Sequence, residues 1–238
     1  MTRHLLLGGG PLHDFAATTA VVERVAEEQG LRTTTVTEPD EAVALLTDAA
    51  AGGAEPFGLL TVDALRWAMA APAYAAQRHE HAYRITDAAA AALDRHVRAG
   101  GGLLALHTAV ICFDGHPHWK ALCGAAWAWG TSAHPPLGPA HVRLTADGRR
   151  HPVTAGVGDF TVDDEVYGFL DEEDGLTPLL TSAHGGRDHP VVWAREVGAG
   201  RVVTDVLGHG PASLEHPAHR RLLAQAMAWA RRDRAASP

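Results

Sequence analysis

Lysine is almost absent from these 238 residues, and cysteine occurs twice, at Cys112 and Cys123. Two cysteines outside any CxxC pair cannot build a disulfide framework. Both are read as reduced packing thiols in a cytoplasmic protein. No basic run precedes the C-terminal "ARRDRAASP", and the formal net charge is −8. That balance argues against nucleic acid or an anionic membrane as the main partner. The sequence has no run of about 20 apolar residues, so no membrane span is expected. "MTRHLLLGGG" lacks the apolar stretch and cleavage site of a signal peptide. "GGGPLHDF" follows a strand-like run but has neither the Lys-Ser/Thr of a P-loop nor GxGxxG spacing, so no nucleotide cofactor is expected. A GxSxG elbow is missing too.

What is present suits one α/β domain. An apolar fraction of 46% and a charged fraction of 20% are ordinary for a globular chain. Strands are expected at 3–10, 31–37, 57–62 and 102–107, with helices at 15–29, 40–51 and 86–99 between them. These strands are apolar throughout rather than alternating, which indicates a mainly parallel sheet with helices on both faces. A short helix is expected at 117–123. From about 125 to 207 strand-like pieces recur at 125–133, 140–145, 159–169, 178–183, 190–195 and 200–207, separated by Pro, Gly and Asp. They predict an antiparallel extension plus the last central strands. An amphipathic helix over 213–233 closes the chain, and 231–238 reads as a frayed tail. No repeat or linker divides the sequence, so the domain runs over 1–238.

Ligands of parallel α/β sheets bind beyond the carboxyl ends of the strands. His13 and Asp14, Asp63, His107 and Thr108, and His209 all fall at such ends. His107 closes the strand in "GGLLALHTA". It reads as a metal ligand or acid–base group, or as a buried imidazole bonded to backbone. His209 lies between glycines in "LGHG", which allow close backbone approach to a ligand. His134, in "GTSAHPP", is by itself a surface turn. In "DDEVYGF", strand alternation would send Glu165, Tyr167 and Phe169 to one face, where a carboxylate beside aromatics acts as ligand or base, or simply opens an acidic turn. His79 and His81 in "RHEHAYR" read as solvated. So, one by one, do His116, His118, His141, His151, His184, His189, His216 and His219.

The ordered segments "GGGPLHDF", "VRAGGGLLALHTA", "WGTSAHPP", "HPVTAGVGDFTVDDEVYGF", "HPVVWAREVGAGRVVTDVLGHG" and "HRRLLAQAMAWA" resemble the ThuA-like, trehalose-utilisation family over nearly the whole chain. The resemblance implies a flavodoxin-like fold, that of class I glutamine amidotransferases, without their cysteine nucleophile. It also implies a link to the catabolism of disaccharides or oxidised (keto) sugars. The family's recurrent polar positions fall on His13, Asp14, His107, His134, Asp164, Glu165, Tyr167 and His209, with Trp193 and Arg201 matching as well. Segment 63–85 and the loop "ICFDGHPHW" depart from the family pattern, so substrate choice is expected to differ.

Together these readings give a testable assembly. His107, His134, Glu165 and His209 would hold a divalent ion, zinc first. Asp164, Tyr167 or His13 would move protons, and Asp14, Asp63, Thr108 and Trp193 would face the substrate, a small sugar. Isomerisation, epimerisation or hydration of a keto-sugar is the expected chemistry. A metal-dependent hydrolase of an amide, ester or glycoside, and a non-catalytic sugar-binding module, are the alternatives. A homo-oligomer is compatible with the strands of 125–170.

Overall fold

The computed structural model describes residues 1–232. β1 (Arg3–Gly9) leads through α1 (Phe15–Glu28), β2 (Arg32–Val36) and α2 (Pro39–Ala50) to β3 (Phe57–Ala64). A short α3 (Arg78–His81) interrupts the connection to α4 (Asp87–Arg98) and β4 (Gly102–Leu106). Then come α5 (Pro117–Cys123), β5 (Ala125–Ala126), β6 (Gly138–Leu144), β7 (Phe160–Asp164) and β8 (Asp171–Glu172). The chain ends through β9 (Pro178–His184), β10 (Arg187–Val197), β11 (Gly200–Asp205), α6 (Pro211–Glu215) and α7 (Pro217–Ala230).

Among the described residues the main sheet has nine strands in the order β2-β1-β3-β4-β11-β10-β9-β6-β7. The first five are parallel, and their order is the flavodoxin-like one. The last four add antiparallel to the same sheet. The continuous apolar runs follow from burial on both faces. In β1, Leu6 joins the core formed with α1 and α7, whereas Leu5 and Leu7 join the core under α2 and α4. Every second residue therefore meets a different helical layer.

Three expected elements change. The piece at 125–133 shrinks to the pair Ala125–Ala126 in a separate two-stranded sheet with β8. The piece at 159–169 stops at Asp164. Glu165 and Tyr167 therefore lie on an irregular segment beyond the strand, and period-two alternation does not govern them. The closing helix is divided at His216, whose backbone is extended before Pro217. Proline disfavours helical geometry in the residue it follows, so one helix ends and the next begins there. Residues 231–232 form a turn, and 233–238 of the expected frayed tail lie outside the described residues. No helix among the described residues is long and apolar enough to cross a membrane.

Candidate functional site

Four segments deliver imidazoles and a carboxylate to one point beyond the strand ends. His13 comes from the loop after β1. That loop turns at Gly10, with φ +138° and an added Cβ only 2.5 Å from the Leu65 carbonyl oxygen, so a side chain is excluded there. Asp14 then caps α1 by accepting from Ala17 N at 3.1 Å, which holds His13 just outside the helix. His107 is the first residue after β4 and sits at φ 45°, an uncommon region for a residue with a Cβ. Neighbouring contacts hold the elbow in place. Thr108 Oγ1 donates to Ala64 O at 2.7 Å, and Cys112 Sγ donates to the same carbonyl at 3.1 Å. His209 follows β11 after Gly208, and Glu165 follows β7 directly. One donor atom each from His13, His107, Glu165 and His209 lies within 4.8 Å of the others.

Hydrogen bonding sets which face of each ring is available. His107 Nδ1 is 3.0 Å from Val206 O, an acceptor only, so Nδ1 carries the proton. Nε2 then presents its lone pair to the cluster, 3.3 Å from His13 Nε2 and 3.6 Å from Glu165 Oε2. Burial lowers the His107 pKa, only partly offset by Asp164, the Val206 carbonyl and Glu165, so the ring is neutral. Burial and the neighbouring His107 and His209 push His13 down to about 3. Tyr167 OH lies 3.1 Å from His107 Nε2. Burial, reinforced by Glu165 and Asp164, raises the Tyr167 phenol well above its usual value, so it keeps its proton. His209 Nδ1 is 3.2 Å from Glu165 Oε2, yet this buried nitrogen makes no hydrogen bond.

Asp164 faces the other way. Its carboxylate accepts from Gly208 N at 2.7 Å, His209 N at 3.1 Å, Glu165 N at 2.8 Å and Ser213 Oγ. A relay continues behind it: Ser213 Oγ to His219 Nδ1 at 3.0 Å, and His219 Nε2 to Asp205 Oδ2 at 3.0 Å. Burial pulls the His219 pKa down, but Asp205 and then Asp164 outweigh it and raise it, so the imidazolium form is favoured between two carboxylates. Asp205, Ser213 and His219 are all buried, so this Ser-His-Asp arrangement faces protein, and no substrate reaches it.

The other expected positions are engaged elsewhere. Asp63 accepts from Thr18 Oγ1 at 2.8 Å and Thr19 Oγ1 at 3.2 Å, and burial still raises its pKa to about 6. Trp193 is buried in β10, its indole N–H donating to Cys123 O at 2.6 Å. Thr108 and Asp14 spend their side-chain oxygens on the elbow and the helix cap. His134 stands at the rim, with Nδ1 3.4 Å from Glu165 Oε1 and 2.9 Å from Pro135 O. The tight group of four thus contains His13 where the sequence pointed to His134.

Two histidines expected to be solvated are interior: His219, and His189, which is 1% exposed. The sequence carries no signature for the relay of Asp205, Ser213 and His219. It depends on the bend at His216–Pro217, which folds α7 back over α6.

The sequence pattern of the ThuA family, described as trehalose utilisation, matches residues 5–230. A ThuA-like protein from Parabacteroides merdae superposes with a TM-score of 0.75 at 17% identity, covering 100% of this chain and 92% of that one. A second, from Bacteroides uniformis, gives 0.69 at 16% identity, over 96% of this chain and 91% of the other. A β-galactosidase from Rahnella contains a similar fold in 31% of its chain, with a TM-score of 0.60, 13% identity and 96% of this chain covered. No curated protein matches in sequence. Identities this low establish the shared fold alone.

Proposed function

Since the chain belongs to the ThuA family, whose description is trehalose utilisation, we propose that it is a carbohydrate-processing enzyme working by acid–base chemistry with a divalent metal. The observation that carries this reading is the convergence of His13, His107, Glu165 and His209 within 4.8 Å. The donor set fits a borderline divalent ion: three imidazoles and one carboxylate, with the His107 lone pair turned inward and His209 Nδ1 left without a hydrogen bond. Zinc is the first candidate, and it keeps an open position only if one of the four donors stays off the ion or its coordination expands. A bound ion would supply Lewis acidity to a sugar carbonyl or to vicinal hydroxyls.

The chain's own groups divide the remaining work. Tyr167 holds its proton and is placed to give it, or a hydrogen bond, to a substrate oxygen beside His107. His13 is neutral near pH 7, and with its pKa held down to about 3 it serves as a donor atom rather than as a base. Asp164 has its lone pairs occupied, so it positions Glu165 and His209 and moves no proton itself. Such a site suits isomerisation, epimerisation or hydration of a keto-sugar in disaccharide catabolism.

The test is metal analysis of the purified protein beside a His107→Ala/His209→Ala double variant. We expect stoichiometric metal in the wild type and affinity weaker by more than about 100-fold in the variant. Equal and negligible metal in both sinks the metal reading. Mass spectrometry of a keto-disaccharide panel separates the chemistries. Rearrangement or water exchange supports this reading, and release of a fragment supports hydrolysis instead.

A further inference from the structure

Six tryptophans occur in the chain; Trp229 lies on α7 beneath the Arg201 guanidinium, and the other five fall into two groups. Trp119 and Trp193 are buried, and their indole N–H groups donate to Ala109 O and Cys123 O. Of the others, Trp67 is buried, Trp127 half-buried and Trp129 exposed, and none of the three donates an indole hydrogen bond among the described residues. Trp127 and Trp129 lead away from the histidine cluster, and Trp67 packs behind Trp129. Ring centroids step outward from His107 to Tyr167 at 4.6 Å, to Trp127 at 5.2 Å, and to Trp129 at 6.3 Å. Trp129 is 49% exposed, with Trp67 stacked behind it at 6.4 Å and Tyr74 edge-on at 6.3 Å.

The rim is apolar beyond these rings. Apart from Met1, the exposed large hydrophobics among the described residues are Leu12, Trp129 and Leu137. Leu12 adjoins His13 in the first loop and Trp129 ends the aromatic series, so exposed apolar side chains flank a polar site. Surface of that kind marks a binding region.

The two loops that carry the rings are pinned. Ala133 and Gly168 exchange backbone hydrogen bonds at 3.1 and 2.8 Å, and Ser132 Oγ donates to Phe169 O at 2.9 Å. Across from them, Arg78 donates to the carbonyls of Met69, Ala70 and Ala71 at 2.8 to 3.1 Å, and Ala68 N donates to Asp114 Oδ2 at 2.8 Å. A platform held this way loses little freedom on binding.

We propose that Trp129, backed by Trp67 and flanked by Tyr74 and Trp127, is a stacking subsite for the second ring of a disaccharide whose first ring occupies the histidine cluster. A pyranose presents a face of C–H groups ringed by hydroxyls. The aromatic faces take the C–H surface, and the unengaged indole N–H groups of Trp127 and Trp129 take hydroxyl oxygens. The rings run without a break from Trp129 through Trp127 and Tyr167 to His107, so a ring stacked on Trp129 is continuous with the reactive groups, as the second ring of a disaccharide would be. The inference rests on the carbohydrate reading but not on the metal. Tyr74 and Trp67 both come from segment 63–85, so the part of the chain that departs from the family pattern builds the subsite that selects the second ring.

Calorimetric titration with trehalose, maltose and glucose tests it, on wild type, Trp129→Ala and Trp129→Tyr. Trp129 is exposed, so both variants are expected to fold, and metal content is measured in each as a control. We expect at least one disaccharide to bind more tightly than glucose. Trp129→Ala should weaken that disaccharide about tenfold and leave glucose unchanged, while Trp129→Tyr should recover most of the loss. Disaccharide affinity unaltered by Trp129→Ala overturns the subsite and leaves the carbohydrate reading standing. Wild type that binds none of the three sugars overturns the subsite, and the keto-disaccharide panel decides the carbohydrate reading separately. Disaccharide binding that depends on Trp129 in protein without metal supports the subsite and counts against the metal alone.

Discussion

Asp164→Ala is expected to lower the free energy of unfolding by about 3–5 kcal/mol, the range for breaking a buried, hydrogen-bonded charge network. Asp164 is 1% exposed. Its removal takes the acceptor from the amides of Gly208, His209 and Glu165 and from the Ser213 hydroxyl, and the Gly208, Glu165 and Ser213 bonds are buried. It also removes one of the two carboxylates that favour the charged form of His219. Urea unfolding with an unchanged m-value is the measurement. Asp163→Ala is the control: its neighbouring carboxylate is exposed, and the change should stay within about 0.5 kcal/mol. Comparable losses in the two variants would remove Asp164 from its positioning role. Because His209 and Glu165 hang from this carboxylate, metal affinity should fall in Asp164→Ala and not in Asp163→Ala.

Acid should destabilise the protein through histidines that the fold holds buried and neutral. His4 lies in β1, 0% exposed, with Nδ1 2.9 Å from Thr33 Oγ1 and Nε2 2.9 Å from Thr61 Oγ1 on the flanking strands. Burial, with Arg231 adding to it, lowers its pKa to about 4 from 6.5. The unfolded chain therefore binds a proton at a higher pH than the native one. The contribution of neutral His4 is complete above pH 6.5, is lost progressively as pH falls from 6.5 to about 4, and levels off below that. At pH 5 the loss from this one group comes to ~2 kcal/mol. His96, also lowered to about 4 by burial, adds to the slope. His219 acts in the opposite sense, since its raised pKa contributes stability that is present below 6.5 and fades as pH rises through its native value. Unfolding free energies of wild type and His4→Asn between pH 7.5 and pH 5 isolate the His4 share. The variant should start lower and fall by ~2 kcal/mol less over that interval. Parallel curves would mean that His4 is not held neutral by the fold.

The strand-by-strand core was legible in the sequence because burial on both faces of a parallel sheet writes continuous apolar runs, as in "RHLLLGG" and "GLLAL". Where a strand is short or irregular the record is weaker. "WGTSAHPP" reads as strand and turn in sequence. In the fold its place is set by the Ala133–Gly168 bridge, a pairing between segments more than thirty residues apart. The 159–169 piece shows the same limit. Its alternating pattern extends past Asp164, but the chain leaves the strand there because the Asp164 carboxylate turns to the amides of Gly208 and His209.

Three of the four segments, those of His13, His107 and His209, were recognisable one at a time as strand ends bearing imidazoles, since the carboxyl end of a parallel strand is where such a fold exposes its loops. The sequence pattern instead puts Glu165 inside a strand or in an acidic turn. Local composition determined the α/β class, the sheet's buried strands and that set of candidate positions. Which of the candidates meet was decided only in three dimensions. His13 enters the cluster and His134 stays at its rim because Gly10 turns the first loop inward against Leu65, while His134 Nδ1 is drawn to the adjacent Pro135 carbonyl. Such choices rest on distances between residues that no local pattern relates, whereas burial and periodicity act within a few residues and so leave their mark on the sequence itself.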